Sequence, residues 1–111
     1  MAKLFLQGCG TALVTPFKDG AVDYDAYASL IDRQVAAGVD FLVPLATTGE
    51  TPTLSREEKV ALMNITREHA KGLPLVVGCG TNSLTGTIDN IRLLENLGVD
   101  AFLVVVPYYN K

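Results

Sequence analysis

A phrase recurs along this chain. Gly38-Val39-Asp40-Phe41-Leu42-Val43 returns as Gly98-Val99-Asp100-Ala101-Phe102-Leu103-Val104, with a looser copy, Gly72-Leu73-Pro74-Leu75-Val76-Val77, between them. In each copy a glycine able to close a helix in the left-handed conformation precedes a short, continuous apolar run rich in β-branched residues. That pattern is a helix stop followed by a buried strand. The copies stand about 30 residues apart, the length of a strand-helix-strand unit, and such units set strands parallel with both faces covered.

The segments between the runs carry helical period. Tyr27, Leu30, Ile31, Gln34 and Val35 line one face after Asp23, a candidate N-cap, and Leu84, Ile88, Ile91 and Leu94 do the same before Gly98. Ser55 and Glu58 have the spacing of a capping box. The predicted order is a strand near Gly8 to Thr15, a helix near Asp23 to Ala37, a strand Phe41 to Leu45, a helix Ser55 to Lys71, a strand Leu75 to Cys79, a helix Leu84 to Leu97 and a strand Ala101 to Pro107. Asp40 and Asp100 read as strand starters rather than chemical groups. Four parallel strands with three crossover helices suit a doubly wound sheet or part of an eight-stranded barrel. A complete barrel needs about 250 residues, against 111 here. A final strand with no helix after it leaves an apolar edge open, so the chain reads as an interrupted barrel.

Composition narrows the function. Nine basic against 12 acidic side chains give a net charge of −3 with no basic block, which gives nucleic-acid or anionic-membrane binding no electrostatic basis. The longest apolar run, Ala101 to Pro107, is far short of the ~20 residues of a membrane-spanning helix. Met1 to Phe5 lack a sustained apolar segment, and Cys9 and Cys79 read as reduced thiols, so the expectation is a cytoplasmic protein without a secretory signal.

In parallel α/β architectures ligands meet the carboxyl ends of strands. The four exits are Thr11 to Phe17, Ala46-Thr47-Thr48-Gly49-Glu50, Gly78-Cys79-Gly80-Thr81-Asn82 and Pro107-Tyr108-Tyr109-Asn110-Lys111. They are rich in hydroxyls, glycines and amides and poor in metal ligands. In the second exit, two threonines and a glycine can turn N–H groups and hydroxyls toward one small anion; the plainer alternative is an ordinary strand-to-helix turn. In the fourth, a tyrosine bonded to a threonine hydroxyl could relay a proton, or the pair could serve packing or an interface. His69, single and on a helix, reads as a solvated surface residue. The Gly-Cys-Gly triplets at 8–10 and 78–80 read as close-packed strand ends with inert thiols. No third glycine completes a dinucleotide fingerprint.

Taken together, Gly10 to Pro16, Ala46-Thr47-Thr48-Gly49-Glu50 with Thr53-Leu54, Ser55 and Glu58, then Gly78-Cys79-Gly80 and Val106-Pro107-Tyr108-Tyr109-Asn110 resemble the N-terminal part of the dihydrodipicolinate synthase family. The resemblance implies that 1–111 is the N-terminal (β/α)3-β portion of a single (β/α)8 TIM-barrel domain. It implies a lyase that condenses pyruvate with L-aspartate semialdehyde through a lysine Schiff base in lysine and diaminopimelate biosynthesis, without a cofactor or metal, as a homo-oligomer, tetramer or dimer. By position in the family motif, Thr47 and Tyr109 are catalytic in a hydroxyl relay, and Thr47 and Thr48 bind substrate, Thr48 at the pyruvate carboxylate. Tyr109 would reach a neighbouring subunit's site, and Tyr108 and Asn82 would mark the interface or effector cleft. Ala46 stands where the family commonly has glycine. Arg56, Lys59 and Gly86 replace the histidines and glutamate of lysine-inhibited members.

None of the five lysines, Lys3, Lys18, Lys59, Lys71 and Lys111, sits inside an apolar strand, where desolvation would prepare an amine for Schiff-base chemistry. The expectation is therefore that these 111 residues alone do not turn over. The alternatives are another pyruvate-dependent aldolase, such as a sialic acid or sugar-acid lyase, a small-carboxylate-binding module without catalysis, or a half-barrel that dimerises to close its edges.

Overall fold

The repeated Gly-Val-Asp phrase is a clamp at the amino-terminal end of the sheet. In the computed structural model, which describes residues 6–109, Gly38 and Gly98 take φ of 86° and 81°, the left-handed turn out of a helix that glycine adopts without strain. The Asp40 carboxylate then accepts from the Cys9 N–H (2.7 Å) while its own N–H donates to the Cys9 carbonyl (2.7 Å). Asp100 repeats this on Leu75, at 2.8 and 3.0 Å. Each aspartate pins the strand it begins to the strand already in place, as expected of a strand starter.

The elements run β1 (Gly10–Ala12), a hairpin of β2 (Phe17–Lys18) and β3 (Ala21–Val22), α1 (Tyr24–Ala36), β4 (Phe41–Val43), two 3-10 turns (Thr47–Gly49 and Thr51–Thr53), α2 (Arg56–His69), β5 (Val76–Gly78), α3 (Leu84–Leu94) and β6 (Ala101–Leu103). β1 pairs parallel with β4 and β5 parallel with β6. A parallel bridge between Leu42 and Leu75, with the Gly78 N–H donating to the Pro44 carbonyl at 2.9 Å, joins the two pairs. The result is four parallel strands in chain order with helices on one face, half of a (β/α)8 barrel.

On the helix side Leu13, Leu42, Leu75 and Val77 meet Tyr27, Ile31, Leu62, Met63 and Leu94 in one core. Tyr27 is 1% exposed, and its phenol sits 2.7 Å from the Thr66 hydroxyl, which donates to the Leu62 carbonyl at 2.7 Å. Because a threonine has one proton to give, both hydroxyls are satisfied when Tyr27 donates. On the other face, period-2 alternation leaves Ala12, Val14, Leu103 and Val105 exposed, on the side that forms the interior of a closed barrel.

The helix caps follow the sequence. Asp23 accepts from the Ala26 N–H at 3.0 Å, and Ser55 and Glu58 close the capping box at 2.7 and 3.1 Å. Four details differ from the sequence reading. The β2–β3 hairpin turns on Asp19 and Gly20, both at positive φ, an Asp-Gly turn signal that lies outside the helical period of the flanking segments. The last strand forms a ladder only over Ala101–Leu103, and Val104 to Val106 continue exposed. α3 buries Thr87, Asn90 and Leu94 and leaves Leu84 69% exposed and Ile88 39% exposed. The cause is polar: Thr87 accepts from the Thr81 N–H (3.0 Å) and Asn90 donates to the Cys79 carbonyl (3.1 Å), turning these side chains inward. His69 is also not merely solvated, since its Nδ1 lies 2.9 Å from Asp32 and ties α2 to α1.

Candidate functional site at the carboxyl ends of the strands

The threonine turn is built by what lies beneath it. A Cβ on Gly78 would strike the Leu45 carbonyl and the Ala46 backbone, so only glycine in β5 lets the chain leaving β4 cross so closely. Leu45, 1% exposed, takes φ 57°, and Glu50 takes φ 56°; two non-glycine residues in the left-handed region bracket the turn. Thr15, at the exit of β1 and 4% exposed, donates its hydroxyl to the Gly49 carbonyl at 2.6 Å. Within the turn, the Gly49 N–H donates to Ala46 and the Glu50 N–H to Thr47, both at 3.0 Å. The glycine amide expected to face an anion is thus committed inside the turn. Thr47 and Thr48, both exposed, remain as that stretch's donors.

Thr47 lines a depression of about 50 Å³ with Leu45, Ala46, Thr51, Gly78 to Gly80, Leu103 and Val105, the place where β4, β5 and β6 end together. A second cleft, of about 230 Å³, opens beside it and shares Thr51 and Gly80; its walls include Lys59, Thr81, Asn82, Asn90 and Tyr108. The Lys59 amine donates to Asn90 Oδ1 at 3.3 Å. Burial, and secondarily the Arg56 cation beside it, hold the Lys59 pKa below the ordinary lysine range.

The expected residues therefore fall into three places. Thr47 and Thr48 share one turn, from which Thr47 lines the depression and Thr48 lines neither pocket; Asn82 and Tyr108 share the neighbouring cleft. Tyr109 is 99% exposed, takes φ 67°, meets the Tyr108 ring edge-on at 5.9 Å, and lines neither pocket. Asn110, Lys111 and Lys3 lie outside the described residues. Of the described lysines, Lys18 is in the hairpin, Lys59 on α2 and Lys71 just past it, and none stands in β1, β4, β5 or β6. Among the described residues no three His, Cys, Asp or Glu gather as a metal site, and no helix is long and apolar enough to cross a membrane. Cys79 is buried, its thiol pushed up by desolvation, whereas Cys9 is exposed, so only one of the two triplets encloses its sulfur. Sequence reasoning missed the Thr15 bond and the Lys59–Asn90 bridge; a threonine at the first strand's exit, ahead of Pro16, was the available signal for the first.

The profile of the dihydrodipicolinate synthetase family matches residues 5–111. The chain belongs to that family. It is 47% identical over 106 residues to the 4-hydroxy-tetrahydrodipicolinate synthase of Maridesulfovibrio salexigens, covering 95% of this chain and 36% of that protein. The crystal structure of dihydrodipicolinate synthase from Thermotoga maritima superposes with a TM-score of 0.89 at 46% identity, over 94% of this chain and 36% of the other. A 2-keto 3-deoxygluconate aldolase from Picrophilus torridus shares the fold at TM-score 0.86 and 27% identity, over 96% and 39%. The chain thus spans little more than a third of the length of the family members it matches, and its arc is the N-terminal half of their dihydrodipicolinate synthase TIM barrel.

Proposed function

We propose that residues 1–111 supply the keto-acid-binding half of a dihydrodipicolinate synthase barrel, whose full-length form condenses pyruvate with L-aspartate semialdehyde. In this reading Thr48 and its neighbouring amide hold the pyruvate carboxylate. Thr47 passes protons with Tyr109 of a neighbouring subunit, in a homo-oligomer, tetramer or dimer, of the cytoplasm. The observation that carries the reading is the threonine turn itself: two exposed hydroxyls on a strained loop, fixed from below by Gly78 and from the side by Thr15. Strain retained by a well-packed surround is characteristic of sites that must hold a group in place. A tyrosine 99% exposed at a strand exit suits a residue that completes a site on another chain rather than its own.

The amine that condenses with pyruvate lies, in this proposal, outside these 111 residues, since a Schiff-base lysine needs a desolvated position beside the bound keto group. Once formed, the protonated imine would draw electrons so that the pyruvate methyl becomes the carbon nucleophile. Borohydride reduction in the presence of pyruvate tests this directly. The 111-residue chain should show no covalent adduct by intact mass, whereas a polypeptide extended to the family's length should gain one. An adduct on Lys18, Lys59 or Lys71 would overturn the proposal. The sugar-acid aldolase reading shares the keto-acid site, and the extended polypeptide's preference for L-aspartate semialdehyde over a glyceraldehyde-like acceptor separates the two.

A further inference from the structure

The sheet is open on both sides. Among the described residues β1 pairs only with β4, and β6 only with β5. In the first strand the Cys9 carbonyl accepts from Asp40 and the Leu13 N–H donates to Val43, so strand alternation turns the backbone groups of Ala12 and Val14 to the free side. In the last, the Ala101 N–H donates to Leu75 and the Leu103 carbonyl accepts from Cys79, which turns those of Phe102 and Val104 outward. Between the two edges lies the concave face on which Val14, Leu103 and Val105 are each about half exposed. We propose that the 111-residue chain associates with a second copy of itself, β6 of each against β1 of the other, so that two halves close one eight-stranded barrel.

Symmetry selects this occupant. A half-turn about an axis along the strands leaves strand direction unchanged, so the β6 edge of one copy meets the β1 edge of the other in parallel, twice, and no edge remains. A single peptide strand would cover one edge and leave the other, with the apolar face, in water. Four strands from each copy make eight, the number whose interior is just wide enough for side chains to fill. Chemistry agrees, because no residue of β1, β4, β5 or β6 is charged, and two copies of this face meet without like-charge repulsion.

Surface and shape point the same way. The chain exposes 6798 Å², whereas a folded monomer of its 11.9 kDa exposes about 6,000 Å². The excess is of the order of the ~800 Å² that each partner gives to a stable interface. Its dimensions are 42 × 41 × 22 Å, and stacking two copies along the short direction gives a body about as thick as it is wide. The same rotation sets both threonine turns on one rim of the closed barrel.

Association through these edges needs neither Schiff base nor keto acid, so failure of the borohydride experiment would leave it standing. Sedimentation equilibrium of the 111-residue chain over a concentration series is the test, with hydrogen exchange to locate the interface. The expected species is a closed dimer of twice 11.9 kDa, in which the outward amides of Ala12, Val14, Phe102 and Val104 exchange more slowly as concentration rises. Leu103→Asp places two like charges in one interior and should weaken association about a hundredfold or more, with far-UV circular dichroism reporting that the monomer stays folded. Val104→Pro removes an outward N–H while sparing the bonds to β5, and should weaken it about tenfold or more. Tyr109→Ser, at the strand exit away from both edges, should leave it unchanged. A monomer at every concentration, an open-ended polymer, a dimer unaffected by both Leu103→Asp and Val104→Pro, or one lost in Tyr109→Ser would each overturn the proposal.

Discussion

At the amino-terminal end of the sheet Asp40 and Asp100 commit their carboxylates to backbone N–H groups of the preceding strands, whereas at the carboxyl end Thr47 and Thr48 stand exposed on a turn held from beneath. The charged groups that a search for catalysis would favour are structural here, and the neutral hydroxyls are the ones left available. The same contrast separates the tyrosines. Tyr27 has its phenol bonded to Thr66 inside the core, while Tyr109 is exposed at the last strand's exit. A hydroxyl locked in the core contributes to stability; one on the rim is free to meet a substrate or a second chain.

Substitutions at the two ends should separate accordingly. The largest effect is expected at Gly78→Ala, where a methyl group would collide with backbone of the chain leaving β4 rather than with a side chain that could move aside. Urea denaturation should register a loss of about 3 kcal/mol or more, and a loss under 1 kcal/mol would show that the crossing at Leu45 and Ala46 is loose. Tyr27 comes next. Burial pushes its pKa up to about 12, opposed by the Thr66 hydrogen bond, from the ordinary 10.0. Between those values the unfolded chain loses a proton that the folded chain keeps, so stability is full below pH 10 and declines as pH rises toward 12. The decline is of the order of 2–3 kcal/mol. Comparing the alkaline stability profile with that of Tyr27→Phe isolates this part, and identical slopes would refute it.

Smaller effects sharpen the contrast within the aspartate clamps themselves. Asp100→Ala leaves a part-buried Leu75 N–H without its acceptor and should cost about 1–3 kcal/mol, whereas Asp40→Ala frees a Cys9 N–H exposed to water and should cost under about 1 kcal/mol. Thermal melts of the two variants order them. The smallest change is expected at Tyr109→Phe, within about 0.5 kcal/mol of the parent by the same melts, because that side chain is 99% exposed among the described residues and its ring contact is with Tyr108.

Much of this was legible in the sequence because period and capping are local. Gly38, Gly98, Asp23, Ser55 and Glu58 act where their spacing places them. What escaped was set by contacts between distant segments. The inward face of α3 is chosen by Thr87 and Asn90 reaching the exit of β5, which apolar periodicity cannot register. The threonine turn lies at the exit of β4, where the chain's pattern puts it, yet its internal 3-10 bonds, which withdraw the Gly49 amide, follow from Leu45 and Glu50 adopting a left-handed backbone that neither residue type advertises. The β2–β3 hairpin has a local signal, Asp19-Gly20, that helical period does not register.

The rim at Thr47 and Thr48 is proposed to receive the anionic end of a keto acid. Titrating the ¹⁵N-labelled chain with pyruvate tests it most directly. Saturable shifts of the Thr47, Thr48 and Gly49 amides that vanish in Thr48→Val are the predicted result; pyruvate that leaves these amides unmoved, or moves them equally in Thr48→Val, would contradict it.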